Sequence, residues 1–227
     1  MAVSAPGRRG RFITFEGGDG AGKSLQAGRL ADRLERIGLK VVRTREPGGS
    51  PRAEALRELL LSGAAKHFGP TGEALLFGAA RIDHIDQTIR PALEAGAWVV
   101  CDRFADSTRA YQGAAGHVDG QFIASLERVV VGDCRPDLTV ILDLPVELGF
   151  ERSRARRGAA DADRFEGENA AFHETLRQAF LKIARDEPDR CALIDASLAP
   201  GLVSQAIWGE VERRLGAALP AAPHDLL

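Results

Sequence analysis

The sequence predicts an α/β fold, with a central parallel sheet of about five strands and helices on both of its faces. Three observations carry this prediction. Short apolar runs alternate with helical patterns along most of the chain. Several runs, such as residues 98–101, are continuously apolar, which is typical of parallel strands covered on both faces. A Gly-rich turn also joins the first run to the first helix, at the sheet edge where ligands bind in such folds.

Length and composition suit one globular domain. The 227 residues are 44% hydrophobic and 27% charged, with a net charge of -2. This balance argues against a nucleic-acid partner or a membrane partner, so local basic clusters must hold any polyanionic ligand. Three cysteines without a CxxC pair indicate a reducing, cytoplasmic compartment, and the histidines show no zinc-ligand spacing. No apolar run approaches the roughly 18 residues of a membrane span.

Apolar spacing assigns the elements in order. The predicted strands are residues 12–15, 39–44, 98–101, 138–144 and 191–194. The predicted helices are residues 23–37, 53–61, 70–89, 107–111, 121–131, a segment opened by Pro145, 171–184 and 202–215. Pro91 is expected to break or kink the third helix. We expect a disordered lead at residues 1–10, a single domain at 11–215 and a flexible tail at 216–227.

The turn after the first strand matches the phosphate-binding pattern G-x-x-x-x-G-K-[ST], which predicts a P-loop NTPase fold. Its glycines let successive backbone N–H groups surround phosphate oxygens, and the following helix adds a favourable dipole. Lys23 is expected to reach the β- and γ-phosphates of ATP, and the Ser24 hydroxyl to ligate Mg²⁺. The predicted loop residues are Gly17, Gly18, Asp19, Gly20, Ala21, Gly22, Lys23 and Ser24.

Charged residues after two other strands indicate a second ligand that carries a phosphate. Arg45 follows the second strand, and Asp102 and Arg103 follow the third. An arginine offers a bidentate fork to phosphate, and Asp102 is placed to support a metal ion; a strand-end salt bridge is the alternative. Phe77 and Arg81 lie one helical turn apart, where they can stack on a base and hydrogen-bond to it. A Phe in a helical stripe is otherwise usually a core residue.

An Arg-rich stretch follows the fourth strand. Its members are Arg152, Arg154, Arg156, Arg157 and Arg164. They form either a solvated helix end that complements the helix dipole or a lid that closes over ATP. Phosphoryl transfer needs cations near the developing charge, so we expect a mobile lid over about residues 152–167 with catalytic Arg154, Arg156 and Arg157.

Taken in order, these motifs resemble those of the thymidylate kinase family of nucleoside-monophosphate kinases. The matching segments are FEGGDGAGKS, TREPGGS, LLFGAAR, DRFADSTRAYQG and RSRARRG followed by DRFE. The resemblance implies a homodimeric enzyme that phosphorylates dTMP to dTDP with ATP and Mg²⁺. The loop between Gly17 and Gly22 holds no Arg or Lys, which resembles the bacterial type with lid arginines. The alternatives are another monophosphate kinase, a deoxynucleoside kinase or a non-catalytic ATP-binding module.

The resemblance also implies a role for each matching residue. Lys23 and Ser24 hold the ATP phosphates and Mg²⁺, Asp102 supports the metal or the Arg network, and Asp19 faces the sugar and phosphate of the acceptor. The implied roles in the dTMP site are phosphate binding by Arg45 and Arg103, stacking on thymine by Phe77, hydrogen bonding to thymine by Arg81, proximity to the base for Thr108, and exclusion of a 2′-hydroxyl by Tyr111 with Gln112 alongside. Leu25 and Phe104 depart from the family pattern, at positions where a second hydroxyl residue and Tyr or His are usual.

Overall fold

A computed structural model of the chain describes residues 9–157, 165 and 167–220. In this part of the chain, five strands form one sheet in the order β2-β3-β1-β4-β5, and every pairing is parallel. The strands are β1 (Phe12–Gly17), β2 (Val41–Arg45), β3 (Trp98–Asp102), β4 (Leu138–Asp143) and β5 (Cys191–Asp195). The predicted parallel sheet is confirmed.

Helices join the strands on both faces of the sheet. They are α1 (Lys23–Arg36), α2 (Pro51–Leu61), α3 (Gly69–His84), α4 (Arg90–Glu94), α5 (Ala105–Thr108), α6 (Gly120–Val131), α7 (Val146–Arg157), α8 (Ala170–Asp186) and α9 (Pro200–Leu215). Ile13 and Phe15 of β1 pack on the face covered by α1 and α9. Phe12 faces the opposite side with Leu93, and Phe180 of α8 covers β4 on a further part of the sheet. Each such buried side chain contributes about 1.5–3 kcal/mol, which explains the continuously apolar strands.

The strand register brings three turns to one place. Phe15 of β1 and Arg45 of β2 are both in register with Asp102 at the end of β3. On the other side of β1, Gly17 is in register with Leu142 of β4. The chain leaves the central β1 first toward β2 and β3 and later toward β4 and β5, and such a reversal opens a crevice beyond the carboxyl ends of the strands.

The sequence predicted a break or a kink at Pro91, and the structure shows a helical path that continues past it without a break. After α3 the backbone forms a wider π-helical turn at Ile85–Ile89 and then continues as α4, with Pro91 in its first turn. A proline has no N–H to donate, and its fixed φ suits a first turn. The wider turn before it alters the backbone spacing that would otherwise bring the ring against a preceding carbonyl.

The ends of the domain differ slightly from the predicted boundaries. Gly10, which was assigned to the lead, is buried, and its N–H donates to the Leu93 carbonyl at 2.9 Å. Gly216–Ala218, assigned to the tail, forms a short 3₁₀ turn, and Leu219 packs against the core. Residues 1–8, 221–227 and the lid residues 158–164 and 166 lie outside the described residues. Within the described ranges, no helix has the length and apolar character that a bilayer crossing requires.

Candidate active site

The phosphate loop joins β1 to α1 through glycines in backbone conformations that other residues rarely adopt. Gly17, Gly20 and Gly22 have φ values of 132°, 76° and 87°. A Cβ on Gly20 would lie 2.3 Å from the Gly149 carbonyl oxygen, so the loop also packs tightly against α7. Among the described residues, no side chain caps the start of α1. Its first backbone N–H groups are therefore available to an anion.

Lys23 lies folded over this loop. Its side chain is almost fully buried, and Nζ donates to the Gly18 carbonyl oxygen at 2.7 Å. Burial, with the nearby Arg103, lowers the pKa of Lys23 to about 8, and three acidic residues around it oppose that shift. A cation held in a dry site interacts strongly with a phosphate that enters it.

The residues that could hold a metal ion lie beside Lys23. The Ser24 hydroxyl donates to Oδ2 of Asp102, which joins the start of α1 to the end of β3. Within the described part of the chain, no cluster of three His, Cys, Asp or Glu residues could by itself hold a metal. A hydroxyl and one carboxylate fit Mg²⁺, which keeps several waters and takes its other ligands from substrate phosphates.

Arg103 lies at the centre of the site and has an unusual backbone conformation. Its φ of 70° lies in the left-handed region. The guanidinium donates to Oδ1 of Asp19 at 2.7 Å, to the Tyr111 hydroxyl at 3.0 Å and to the Gly17 carbonyl at 3.2 Å. Burial opposes its charge, but Tyr111 and Asp19 raise the pKa of Arg103 above its usual value. The cation is thus permanently charged and placed against the phosphate loop.

Two further arginines flank this cation. Arg45 donates to both carboxylate oxygens of Glu54, at 3.1 and 3.0 Å. Its side chain is 52% exposed, and exposed pairs of this kind contribute only about 0–1 kcal/mol, so a phosphate can compete for the guanidinium. Arg57, which the sequence reasoning missed, lines the same cavity and donates to the Pro47 carbonyl at 2.7 Å. Arg57 lies four residues before the end of α2, and no sequence pattern at that position indicates a ligand site.

Arg81 lies in a buried network beneath the cavity. Its Nε donates to Glu46 at 2.7 Å, and its terminal nitrogens donate to the Thr108 hydroxyl at 3.2 Å and the Phe104 carbonyl at 3.1 Å. His84 joins Glu46 from the other side at 3.0 Å and also contacts the Thr44 hydroxyl at 2.7 Å. The sequence reasoning missed His84, although it follows Arg81 by three residues on α3.

Aromatic rings form the far wall of the cavity. The ring centres of Phe77 and Phe165 are 6.1 Å apart, and those of Tyr111 and Phe165 are 5.3 Å apart. Phe165 was missed, although it lies in the DRFE segment. Phe104 does not belong to this wall, because its ring is buried in the core and packs edge-on against Phe12. The departure of Phe104 from the family pattern therefore affects packing, and its ring also supports Arg81, whose guanidinium carbon lies 5.3 Å from the ring centre.

One cavity of about 340 Å³ joins these parts. The sequence-predicted residues that line it are Asp19, Gly20, Gly22, Lys23, Ser24, Arg45, Phe77, Arg81, Asp102, Arg103, Thr108, Tyr111 and Gln112. Gln112 is 2% exposed, and its side-chain nitrogen has no hydrogen-bond partner among the described residues. A buried amide donor that lines a cavity without a partner indicates a polar ligand.

The other predicted residues lie elsewhere. Gly17 and Gly18 border a narrow adjoining space toward β4 and α8, and Ala21 is buried in the core. Arg154 is exposed on α7, and Nε contacts the Phe150 carbonyl at 3.5 Å. The Arg156 and Arg157 side chains, and Arg164, lie outside what the structure describes. The predicted lid roles of these arginines stay predictions.

The phosphate loop lines one end of a cavity whose other walls are arginines and aromatic rings. These features define a P-loop kinase whose acceptor carries both a phosphate and a base, that is, a nucleoside-monophosphate kinase. A family model described as "Thymidylate kinase" matches residues 15–207. The chain belongs to the thymidylate kinase family.

Individual relatives agree with this assignment over nearly the whole chain. A thymidylate kinase from Bradyrhizobium diazoefficiens is 56% identical over 94% of both chains. Another, from Afipia carboxidovorans, is 58% identical over 97% of this chain and 96% of its own. The crystal structure of thymidylate kinase from Ehrlichia chaffeensis superimposes with a TM-score of 0.72 at 34% identity, covering 91% of this chain and 99% of its own.

Proposed function

We propose that the protein transfers the γ-phosphoryl group of ATP to dTMP, forming dTDP, with Mg²⁺ as the metal. The observation that carries this proposal is the cavity in which Lys23 of the phosphate loop and Arg103 face the same space. Two anionic nucleotides can meet there end to end, with backbone N–H groups around one and guanidinium groups around the other.

The donor side is formed by the loop and the start of α1. Lys23 and the backbone N–H groups from Gly17 to Ser24 bind the ATP phosphates. Ser24 and Asp102 would hold Mg²⁺, which would supply positive charge to the phosphates. Arg154, Arg156 and Arg157 close over ATP from the lid and add further cations.

The acceptor side has separate groups for phosphate, sugar and base. Arg103 and Arg45 bind the acceptor phosphate, with Asp19 orienting Arg103. Phe77 stacks on thymine, while Arg81, Thr108 and the unpartnered amide of Gln112 supply donors to its oxygens. Two residues lie near the sugar: Tyr111, whose ring excludes a 2′-hydroxyl, and Asp19.

Catalysis follows from this arrangement by positioning and charge neutralisation. The acceptor is already an anionic phosphate, so the reaction needs no strong general base. The test is a coupled assay of ADP release against a panel of nucleosides and nucleoside monophosphates. Turnover is expected to be highest with dTMP, with dUMP as the nearest competitor. Preference for a nucleoside would instead favour the deoxynucleoside kinase, and no turnover with any acceptor would favour the ATP-binding module.

Discrimination between dTMP and dUMP is expected to be modest. The two substrates differ by one methyl group, and a methyl in an apolar pocket is worth about 1–3 kcal/mol, or roughly 10–200-fold in kcat/KM. Steady-state kinetics with both acceptors at saturating ATP measures this ratio. A ratio above about 10⁴ would contradict recognition of the methyl group by apolar contact alone.

We also propose that the enzyme is a homodimer joined through α3 and α6. Leu75 and Ile82 of α3 are exposed apolar residues, α3 packs against α6 at Gly78, and Val129 of α6 is 78% exposed. Ile82→Glu is therefore expected to shift the chain toward a monomer in sedimentation equilibrium. Leu198→Glu, on an exposed apolar residue before α9, is the control. A wild-type monomer, or equal effects of both changes, would contradict this interface.

A cytoplasmic location is proposed on the state of the thiols. Cys101, Cys134 and Cys191 are all unpaired and buried. Burial raises the pKa of each thiol, which keeps them as neutral, unreactive core residues. Such a set suits a reducing compartment.

A further inference from the structure

Glu16 is a buried carboxylate for which the phosphoryl transfer described above has no role. It is fully buried near the end of β1, one residue before the phosphate loop. It is outside the set of described residues that line the acceptor cavity. Burying a carboxylate is costly unless hydrogen bonds compensate it, so its partners indicate its purpose.

Among the described residues, the hydrogen bonds that the Glu16 carboxylate accepts come from the segment that carries Arg103. Oε1 accepts the Phe104 N–H at 2.7 Å and the Ser107 N–H at 3.2 Å. Oε2 accepts the Ser107 hydroxyl at 2.7 Å. These N–H groups lie at the start of α5, where a helix leaves N–H groups without full partners, and the Ser107 N–H is shared with the Phe104 carbonyl at 3.2 Å. Glu16 therefore fastens this segment to β1.

The hydrogen bonds to Glu16 lie directly beside Arg103, whose backbone is in the left-handed region. A non-glycine residue in the left-handed region costs about 1–2 kcal/mol and persists only where its surroundings hold it. The Arg103 N–H donates to the Phe15 carbonyl at 2.9 Å, and the next N–H, of Phe104, donates to Glu16. The backbone of Arg103 is thus held by two consecutive residues of β1.

Ser107 extends the same contact to the Arg103 side chain. Its hydroxyl donates to Glu16 and accepts from the guanidinium at 3.2 Å. Arginine can only donate, so the single hydroxyl proton of Ser107 must go to the carboxylate. An ionised Glu16 therefore turns the hydroxyl oxygen toward Arg103, whereas a protonated carboxyl group has no such requirement.

The charged and titratable groups around Glu16 come from each neighbouring element. They are Arg103 after β3, Asp106 of α5, Lys23 of α1 and Cys101 of β3. Burial first, and then the Asp106 charge, raise the pKa of Glu16 to about 7 against the opposing effect of Arg103. Glu16 therefore changes its charge in the neutral range.

We propose that Glu16 is a positioning residue for the acceptor phosphate, because its ionised carboxylate holds residues 103–107 so that the Arg103 guanidinium faces the cavity. The inference rests on the proposed function and deepens it. Glu16 contacts neither nucleotide, and its effect on the reaction passes entirely through Arg103 and Ser107.

The test is Glu16→Gln, which keeps the size of the side chain and removes its charge. At about pH 8, kcat/KM for dTMP is expected to fall about 10–100-fold, while KM for ATP stays within about threefold of wild type. The wild-type to variant ratio is expected to shrink toward one below about pH 6, where both side chains are neutral. Ionisation of the dTMP phosphate is common to both enzymes and cancels in this ratio.

Thermal unfolding gives a second readout with the opposite sign. The pKa of Glu16 in the folded chain, about 7, lies above its ordinary 4.5, so the fold favours the protonated form. The stability gained from protonated Glu16 is fully present below pH 4.5 and is lost as the pH rises from 4.5 through 7. The Tm of Glu16→Gln relative to wild type is therefore expected to rise over this interval, even as its activity falls.

Two further variants separate positioning from stability. Ser107→Ala keeps both Glu16–amide contacts but removes the hydroxyl, and a smaller loss specific to dTMP is expected. Glu73→Gln changes a buried carboxylate of α3 outside the cavity, and unchanged substrate preference is expected. Equal losses for ATP and dTMP, or a wild-type to variant ratio independent of pH, would overturn the role of Glu16. An inactive wild-type enzyme would instead refute the proposed function.

Discussion

Lys23→Ala is expected to reduce kcat by on the order of 10³-fold or more while the fold survives. The side chain is nearly buried, and its Nζ is held over the phosphate loop by the Gly18 carbonyl. A fixed cation in a low-dielectric site stabilises charge that develops on the transferred phosphoryl group far better than water does. Removing it leaves the loop amides in place, so ATP binding is expected to weaken less than kcat falls.

The measurement is ADP release at saturating ATP and dTMP, with circular dichroism and Tm recorded on the same samples. Lys66→Ala is the matched control, because Lys66 is exposed and lies outside the described cavity lining. Lys23→Met keeps the length of the side chain without its charge and separates packing from electrostatics. Turnover within about tenfold of wild type in a folded Lys23→Ala protein would remove Lys23 from the proposed mechanism.

Arg103→Ala is expected to lower kcat/KM for dTMP by about 10³–10⁵-fold, the range that an arginine acting on a transferred phosphoryl group can supply. The physical reason is the position of its guanidinium, which Asp19, Tyr111 and the Gly17 carbonyl hold against the phosphate loop. Arg103→Lys is expected to recover only part of this loss, since an ammonium cannot form a bidentate fork.

Arg103→Gly distinguishes strain from function. Glycine adopts the left-handed backbone conformation without strain, so the Tm of this variant is expected to be at least that of Arg103→Ala. The gain in the free energy of unfolding is expected to be up to about 1 kcal/mol, with no gain in activity. Arg52→Ala, on an arginine that is 82% exposed, is the control. Binding of dTMP to Arg103→Ala with wild-type affinity in calorimetry would exclude Arg103 from the acceptor site.

The phosphate loop and the sheet could be predicted because their signals are local. A G-x-x-x-x-G-K-S run between an apolar strand and an amphipathic helix has one common structural solution, and continuous apolar runs require cover on both faces. The choice between a break and a kink at Pro91 could not be made from the sequence, because the sequence does not reveal the π-helical turn upstream. Gly10 was assigned to the lead because its burial depends on Ala97 and Leu93, which are distant in sequence.

The sequence alone determined the fold class, the phosphate loop and the family, because spacing and residue type encode them within short windows. Only the tertiary structure decided how the site residues are held. It joins Arg81 and His84 to the same carboxylate of Glu46, turns the Phe104 ring into the core, and places Glu16 under the strained Arg103. These contacts join residues that lie 35 to 92 positions apart in the sequence. They form because the parallel strands bring their carboxyl ends to one edge, and no local pattern can specify which side chains meet there.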